Sequence, residues 1–405
     1  MLKRIGFYGL SHLGLCYSAA YVKKNFDVIA VDPSAQRVKN LKKNILEVYE
    51  KNLLNITKSN KIIYSNNITD LNKCDIVFFS NDVKTNTKNI SNISDIKKQI
   101  LYLDKKLKKN IPMIILSQVH PGFTRSLCLK RKLFYQVETL VFGEAMSRAI
   151  YPERIIVGKK NSTDLLDNEI KKLFKVFTPN IIDMNYESAE LCKISINLML
   201  ISSIMTSNFI SLYCEKINAQ WSDIKKSLHL DKRIGKFAYL NPSPGLSGGN
   251  LERDLINSFK LFNYKKVLNS WIILDKKMRT WTENRIRKNL PNKSSILICG
   301  ITYKNNTMSV KNSLSLFLLK KLDSMYDITI LEKNKKLNNL VKNNMVNNLL
   351  KNKKKFDAII FVNSMYDPKY LKLAVKKDTL YIDPYGFFKK YFINKSIRYL
   401  SIGNN

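Results

Sequence analysis

Carboxylates are scarce in this chain: 32 Asp and Glu stand against 69 Lys and Arg among 405 residues, a formal net charge of +37. Such an excess raises the possibility of a polyanionic partner, since clustered cations gain affinity by releasing counterions from phosphates. The lysines, however, are spread along the chain and interleaved with Asn, as over 336–355, and no nucleic-acid module signature is present. The expected reading is a solvated basic surface without a nucleic-acid partner, with a basic nucleic-acid-binding protein as an alternative. The six cysteines form no C-x-x-C pair and no metal-type spacing. This leaves no sequence basis for a metal site and points to free buried thiols in a reducing cytoplasm. No signal peptide is expected either, because Gly and polar residues break the first apolar stretch too early. Residues 196–214 are the one long apolar segment, but they include Asn197, Ser202, Ser203, Thr206, Ser207 and Asn208. That polarity argues for a buried helix and against a lipid-facing span, so no membrane partner is expected.

What is present is material for substantial cores, 45% hydrophobic and 10% aromatic residues, at a length that predicts two or three domains. A β run at residues 4–8 leads into Gly9-Leu-Ser-His-Leu-Gly14, a helical stretch and a second apolar run, 26–31, ending at Asp32. Further strand patterns at 61–64, 76–80 and 113–117 alternate with helical ones at 34–46 and 95–107. This alternation predicts a parallel, doubly wound sheet. From 188 to about 226 the period becomes helical, and a Gly/Pro/Ser-rich loop follows at 241–250. After more helix, α/β alternation restarts at 294, with strands at 295–300, 327–331, 358–362 and 379–383 and a helix at 313–322. The stretch 333–355 reads either as a loop-rich insertion or as a surface helix. The expected fold class is α/β, two doubly wound parallel-sheet domains joined by a helical central domain: 1–184, 185–290 and 291–405.

In a dinucleotide-binding turn the first Gly permits the bend, the second lets a pyrophosphate approach, and the third allows close packing of helix on strand. Gly9 and Gly14 hold the first and third places, and Ser11 replaces the second. Asp32 ends the following strand, where a carboxylate accepts ribose hydroxyls and repels a 2′-phosphate. The cofactor expected is therefore NAD, with Gly9, Ser11, Gly14 and Asp32 as its binding residues. An ordinary βα turn is the bland reading of the motif alone, and His12 reads as a surface loop residue.

Ser188-Ala-Glu-Leu-Cys-Lys193-Ile-Ser-Ile-Asn197 reads as a helix with Lys193 and Asn197 on one face. An ammonium and a carboxamide directed at one point suit an oxygen that turns negative as a hydride leaves its carbon. A surface Lys and a capping or core Asn are the alternative. Around this segment lie Ser117-Gln118, Glu138, Pro152-Glu-Arg-Ile-Ile-Val-Gly158, Asp231-Lys-Arg-Ile-Gly235, Gly248-Gly-Asn-Leu-Glu-Arg-Asp254 and Tyr303-Lys-Asn-Asn-Thr307.

In this order the motifs resemble those of the UDP-glucose/GDP-mannose dehydrogenase family over nearly the whole chain. The resemblance implies two Rossmann-like domains, the first binding NAD and the last gripping a nucleotide sugar, and a central helix that builds a homodimer. It implies catalytic roles for Glu138, Lys193, Asn197 and Asp254: Lys193 and Asn197 steady the sugar oxygen, while Glu138 and Asp254 manage water and protons. Arg233 and Lys304 match substrate contacts, Arg233 in many members across the dimer. Gln118, Gly248 and Asn250 occupy matched substrate positions.

One departure limits the chemistry. Members that take an alcohol to an acid carry a cysteine four residues before the loop aspartate, whose thiolate adds to the aldehyde intermediate. That position is Asn250, and no cysteine lies between Cys214 and Cys299. Gln118, Gln136 and Phe142 also replace the residues usual at their places. Three outcomes follow: a single two-electron oxidation of a UDP-hexose hydroxyl; oxidation of a hydrated aldehyde with Asp254 or Glu138 directing water; or a non-catalytic NAD and nucleotide-sugar binder.

Overall fold

The structure, a computed structural model, describes all residues except 1, 59–60, 87–89, 342–344, 350–353, 393–396 and 405. The chain divides into two compact units, Met1–Ile196 and Asn197–Asn405.

Among the described residues the first unit is built on eight strands: β1 (Arg4–Tyr8), β2 (Asp27–Val31), β3 (Ile62–Ser65), β4 (Ile76–Phe79), β5 (Met113–Ile115), β6 (Leu133–Gln136), β7 (Ile155–Lys159) and β8 (Ile181–Asn185). Their order is β3-β2-β1-β4-β5-β6-β7-β8. From β1 to β6 this is the doubly wound order, whose reversal between β1 and β4 opens a crevice at the strands' carboxyl ends. Strands β4 and β5 are buried throughout, as continuous apolar runs require when helices cover both faces. The expectation of a wholly parallel sheet is corrected at one pair: β7 runs antiparallel to β6, with Tyr135 opposite Gly158. A parallel return would have to cross the length of the sheet. The connection 137–154 instead stays at the carboxyl end of β6, and Glu138 stays there with it. Gly158 permits the close fit, since a β-carbon there would come within 3.0 Å of Ala189 and 3.1 Å of Tyr135.

Helix boundaries follow their caps. Ser34 Oγ accepts the Arg37 N–H at 3.2 Å at the start of Ala35–Lys42. Asn92 Oδ1 accepts the Asp95 N–H at 3.2 Å at the start of Ile93–Lys106. Asn44, at φ +59°, lies just beyond the first of these helices, which ends before the residue 46 expected from periodicity.

The long helix Tyr186–Ile217 begins in the first unit and continues into the second. By length and composition it could cross a membrane, and less than half of its most apolar stretch is buried. One face carries Ile201, Ile204 and Met205 in a core with Leu246, Leu255 and Leu268. On the other, Met199 and Phe209 are each 68% exposed and Tyr213 is 57% exposed, so the expectation of a fully buried helix is corrected to a helix packed on one side. The second unit continues with Trp221–Leu230, Asn250–Leu261, Lys265–Arg279 and Trp281–Asn289.

Its sheet contains β9 (Ser295–Cys299), β10 (Asp327–Leu331), β11 (Met345–Val346), β12 (Phe356–Phe361), β13 (Val375–Ile382) and β14 (Tyr399–Leu400), in the order β11-β10-β9-β12-β13-β14. All neighbours are parallel, so the order of the first sheet is repeated around β9 and β12. The stretch 333–355 resolves into the 3₁₀ helix Lys335–Leu340 and the short β11. Its residues 342–344 and 350–353 lie outside those described.

Candidate active site

The turn after β1 carries the first half of the site. Gly9 has φ +99°, and its N–H donates to Val31 O at 2.8 Å. A β-carbon on Gly9 would lie 2.0 Å from Asn81 Oδ1, and one on Gly14 would lie 1.8 Å from Gly9 O. Both positions therefore demand glycine. Ser11 caps the helix His12–Lys23 with extended backbone, and its hydroxyl accepts the Asp82 N–H at 3.3 Å. The second glycine position thus tolerates a side chain because that side chain is used. Ser80 Oγ donates to Gly9 O at 2.8 Å, which holds the end of β4 against the turn.

Asp32 is 1% exposed at the end of β2. Its carboxylate accepts the N–H groups of Leu10 at 2.8 Å and Ser34 at 2.9 Å, and pairs with Arg37 at 3.1 Å. A glycine cradle, a helix N-terminus and a carboxylate at the strand end fit a dinucleotide such as NAD. Arg37 escaped the sequence reading; its signal was only its place five residues after Asp32.

His12 is corrected from a surface loop residue to the largely buried first residue of its helix. Its imidazole lies 2.9 Å from Glu50 Oε1 and stacks on Phe142 at 4.3 Å. Glu50, also missed, accepts the N–H groups of Gly143 at 2.8 Å and Ala145 at 3.2 Å. It thereby ties the dinucleotide turn to the segment that follows Glu138. Nothing local in the sequence marks a partnership 38 and 93 residues apart.

On that segment, Glu138 accepts the Leu140 N–H and forms an ion pair with Lys193 Nζ at 3.2 Å, both side chains being largely buried. Gln118 is half-buried in the loop after β5. Three residues before Lys193, Glu190 is fully buried and accepts the N–H groups of Gly122 at 2.6 Å and Thr124 at 2.7 Å. Burial pushes its carboxyl above the usual carboxylate range against the pull of those two donors.

One turn beyond Lys193 on the same helix, Asn197 lies in the second unit and donates through Nδ2 to Asp254 Oδ2. Arg253 Nε holds the other oxygen of Asp254 at 2.9 Å. Asn197 and Asp254 are both buried. Asn250 opens the helix Asn250–Leu261 and is exposed, one turn before Asp254. Gly248, at φ +74°, bends the preceding loop, and a β-carbon there would approach the Tyr303 ring at 3.2 Å. Sequence reasoning missed the residues that fix this loop. Asn208 accepts the Ser243 N–H at 2.8 Å, Arg279 holds Leu246 O at 3.0 Å, and Asn312 holds Gly248 O at 2.8 Å.

Arg233 is not brought to Asp254: its side chain is 89% exposed and closes on Asp231 of its own turn at 2.6 Å. Lys304 sits in the turn after β9, with its ammonium 5.9 Å from the Tyr303 ring centroid. That turn repeats the device of the first sheet. Gly300 has φ +100°, and Glu332 at the end of β10 accepts the Ile301 N–H at 3.2 Å and the Asn334 N–H at 2.9 Å.

All six cysteines are free, as expected, but Cys128 is exposed and Cys192 half-exposed, which corrects the expectation that all would be buried. Cys128 lies beyond the short helix Phe123–Ser126 with φ +50°, which turns it away from the core. None replaces the absent thiol in the second unit. Cys214 is seventeen residues beyond Asn197 on the helix, roughly 25 Å at about 1.5 Å per residue. Cys299 lies within β9, where burial pushes its thiol far up. In the first unit, burial likewise raises the Cys16 thiol, helped by Glu50, Asp82 and Glu138 nearby.

The glycine turn with Asp32 at the end of the next strand has the form of a dinucleotide-binding site. The family comparison specifies it. Residues 3–178 match the NAD binding domain, and residues 187–271 the central domain, of the UDP-glucose/GDP-mannose dehydrogenase family. The chain belongs to that family and is an NAD-dependent dehydrogenase of the nucleotide-sugar class. It is 27% identical over 342 residues to a UDP-glucose 6-dehydrogenase of Rickettsia bellii, covering 78% of each chain. It is 30% identical over 278 residues to one of Campylobacter jejuni, covering 64% of this chain and 67% of the relative. The fold is shared with a UDP-glucose dehydrogenase from Pyrobaculum islandicum, with a TM-score of 0.83, 16% identity and coverage of 100% and 98%. A UDP-N-acetyl-mannosamine dehydrogenase from Staphylococcus aureus gives 0.78, 18%, and 99% and 98%.

Proposed function

We propose that this chain oxidises one hydroxyl of a UDP-hexose by a single hydride transfer and releases the carbonyl product. The observation that carries the reading is the helix register: Lys193 and Asn197 stand one turn apart, each buried and each bonded to a carboxylate, while Asn250 stands where a thiol would be needed. Bound NAD supplies the hydride acceptor. The alcohol carbon loses two electrons and one hydrogen as hydride, and its hydroxyl proton passes to water. Lys193 and Asn197 donate to the oxygen as its negative charge grows, which lowers the barrier most if both are already oriented. Glu138 and Asp254 orient those donors and accept protons from water. Gln118, Gly248 and Asn250 line the sugar, and Lys304 neutralises its diphosphate. Arg233, exposed and held only within its own turn, reaches the substrate of a second copy. That copy covers the exposed apolar face at Met199, Phe209 and Tyr213, which makes the functional form a homodimer in the cytoplasm. Domain limits near 184 and 290 separate the cofactor, helical and nucleotide-sugar parts.

Without a thiol there is no thiohemiacetal from which a second hydride can leave. The test is the NADH yield per UDP-sugar consumed, with one equivalent expected. Two equivalents would establish oxidation of the hydrated aldehyde with Asp254 or Glu138 directing water, and none across a panel of sugar nucleotides would establish a binder.

A further inference from the structure

The end of β2 carries two groups that favour different cofactors. A strand-end carboxylate such as Asp32 accepts ribose hydroxyls and repels a 2′-phosphate, whereas an arginine close to that position is what a 2′-phosphate needs. Arg37 is such an arginine, its Nη1 donating to Asp32 Oδ2 at 3.1 Å. Its guanidinium is held from a second side as well. Nε donates to Glu47 Oε2 at 3.1 Å, so one cation stands between two carboxylates. The local fold brings Glu47 there: Arg37 lies in the first turn of the helix Ala35–Lys42, Asn44 at φ +59° reverses the chain, and the Ile45 N–H returns to Asn40 O at 2.9 Å. Side-chain exposure rises from 1% at Asp32 through 31% at Arg37 to 51% at Glu47, so Glu47 covers the guanidinium from its solvent side, where a phosphate would arrive.

We infer that Glu47 is a specificity-determining residue of the cofactor site: by occupying Arg37 it denies that guanidinium to a 2′-phosphate and so excludes NADP. The inference rests on Gly9–Gly14 and Asp32 forming the cofactor site and is independent of which sugar is oxidised. A 2′-phosphate, with a charge of about −1.5 to −2 at neutral pH, meets a guanidinium already shared by two anions. It must displace Glu47 to form the paired hydrogen bonds that arginine gives a phosphate. NAD carries a hydroxyl at that place and makes no such demand, so its binding does not depend on Glu47. Asp32 alone would leave Arg37 open on its solvent side; Glu47 closes that side and takes no part in the hydride transfer.

Titration of the full-length protein with NAD and NADP tests this in wild type, Glu47→Gln, Glu47→Lys and Asp27→Asn. Glu47→Gln removes the charge at nearly constant shape, and Glu47→Lys reverses it. Asp27→Asn removes an exposed carboxylate at the opposite end of β2, roughly 16 Å from Asp32 at about 3.3 Å per residue, and so controls for a general charge effect. The expected result is NADP about tenfold tighter in Glu47→Gln and tighter again in Glu47→Lys, with NAD unchanged and a gain that shrinks as salt rises. Asp27→Asn should match wild type. Unchanged NADP affinity in Glu47 variants whose circular dichroism matches wild type would overturn the proposal and leave the discrimination to Asp32. Equal tightening of NAD, or the same gain in Asp27→Asn, would also overturn it, as would NAD weakened by loss of Glu47, which would make Glu47 a support for Arg37 in NAD binding. No NAD binding in wild type would overturn the cofactor site itself, and this proposal with it.

Discussion

Asn250 and Asp254 share one face of the helix Asn250–Leu261, a turn apart. Asn250→Cys therefore places a thiol beside the existing carboxylate, and the NADH yield per UDP-sugar is expected to rise from one toward two. A yield that stays at one would assign the block to the other altered positions, Gln118, Gln136 and Phe142. Lys193→Ala is expected to lower kcat by about 10²-fold or more, because the donor it removes acts where charge develops. NAD titration should be unaffected, and an unchanged kcat would take Lys193 out of the chemistry. Gly14→Ala pushes a methyl group into Gly9 O at 1.8 Å and is expected to abolish measurable NAD binding. These residues were legible as types at fixed spacings. Glu50 and Arg253 were not, because their meaning lies in partners that no local pattern announces.

The long helix is held at its start by Glu190, which receives two backbone donors from the loop after β5. Glu190→Gln keeps one acceptor and turns an N–H₂ toward the other donor, so a loss of about 1–3 kcal/mol is expected in denaturant unfolding. Because burial raises the Glu190 carboxyl, the folded chain binds that proton more tightly than the unfolded one. Its contribution to stability is present below the ordinary Glu range and falls as pH rises from that range toward the raised value; the variant should lose this slope. At this scale β1, β2 and β10 were readable because each apolar run is bounded by a turn and ends at an acid or a glycine. Strands β6, β7 and β8 escaped notice. The apolar runs of β6 and β7 are only three residues long, ending at Gln136 and at Gly158-Lys159, and β8 is largely unburied.

Across the whole molecule, the exposed Met199, Phe209 and Tyr213 lie along one side of a helix that is otherwise packed. Phe209→Glu places a charge in that strip and is expected to shift the protein from dimer to monomer by light scattering. A wild-type protein that is monomeric at all concentrations would remove the dimer from the reading. The net charge of +37 should favour capture of a diphosphate substrate at low salt. Since exposed charges are screened within about 8 Å at physiological ionic strength, that advantage is a low-salt one.

The sequence alone determined the two glycine-led α/β folds, the acid at the end of β2, the Lys193–Asn197 register and the missing thiol, because each is written in spacings shorter than one helix or one βα turn. Tertiary structure decided which carboxylate meets which donor: Glu138 at Lys193, Asp254 at Asn197 and Glu50 at His12. Such pairings depend on how strands are ordered and which way β7 runs. Chain order is silent on both, since sheet neighbours are chosen by the burial of whole faces and not by any single residue.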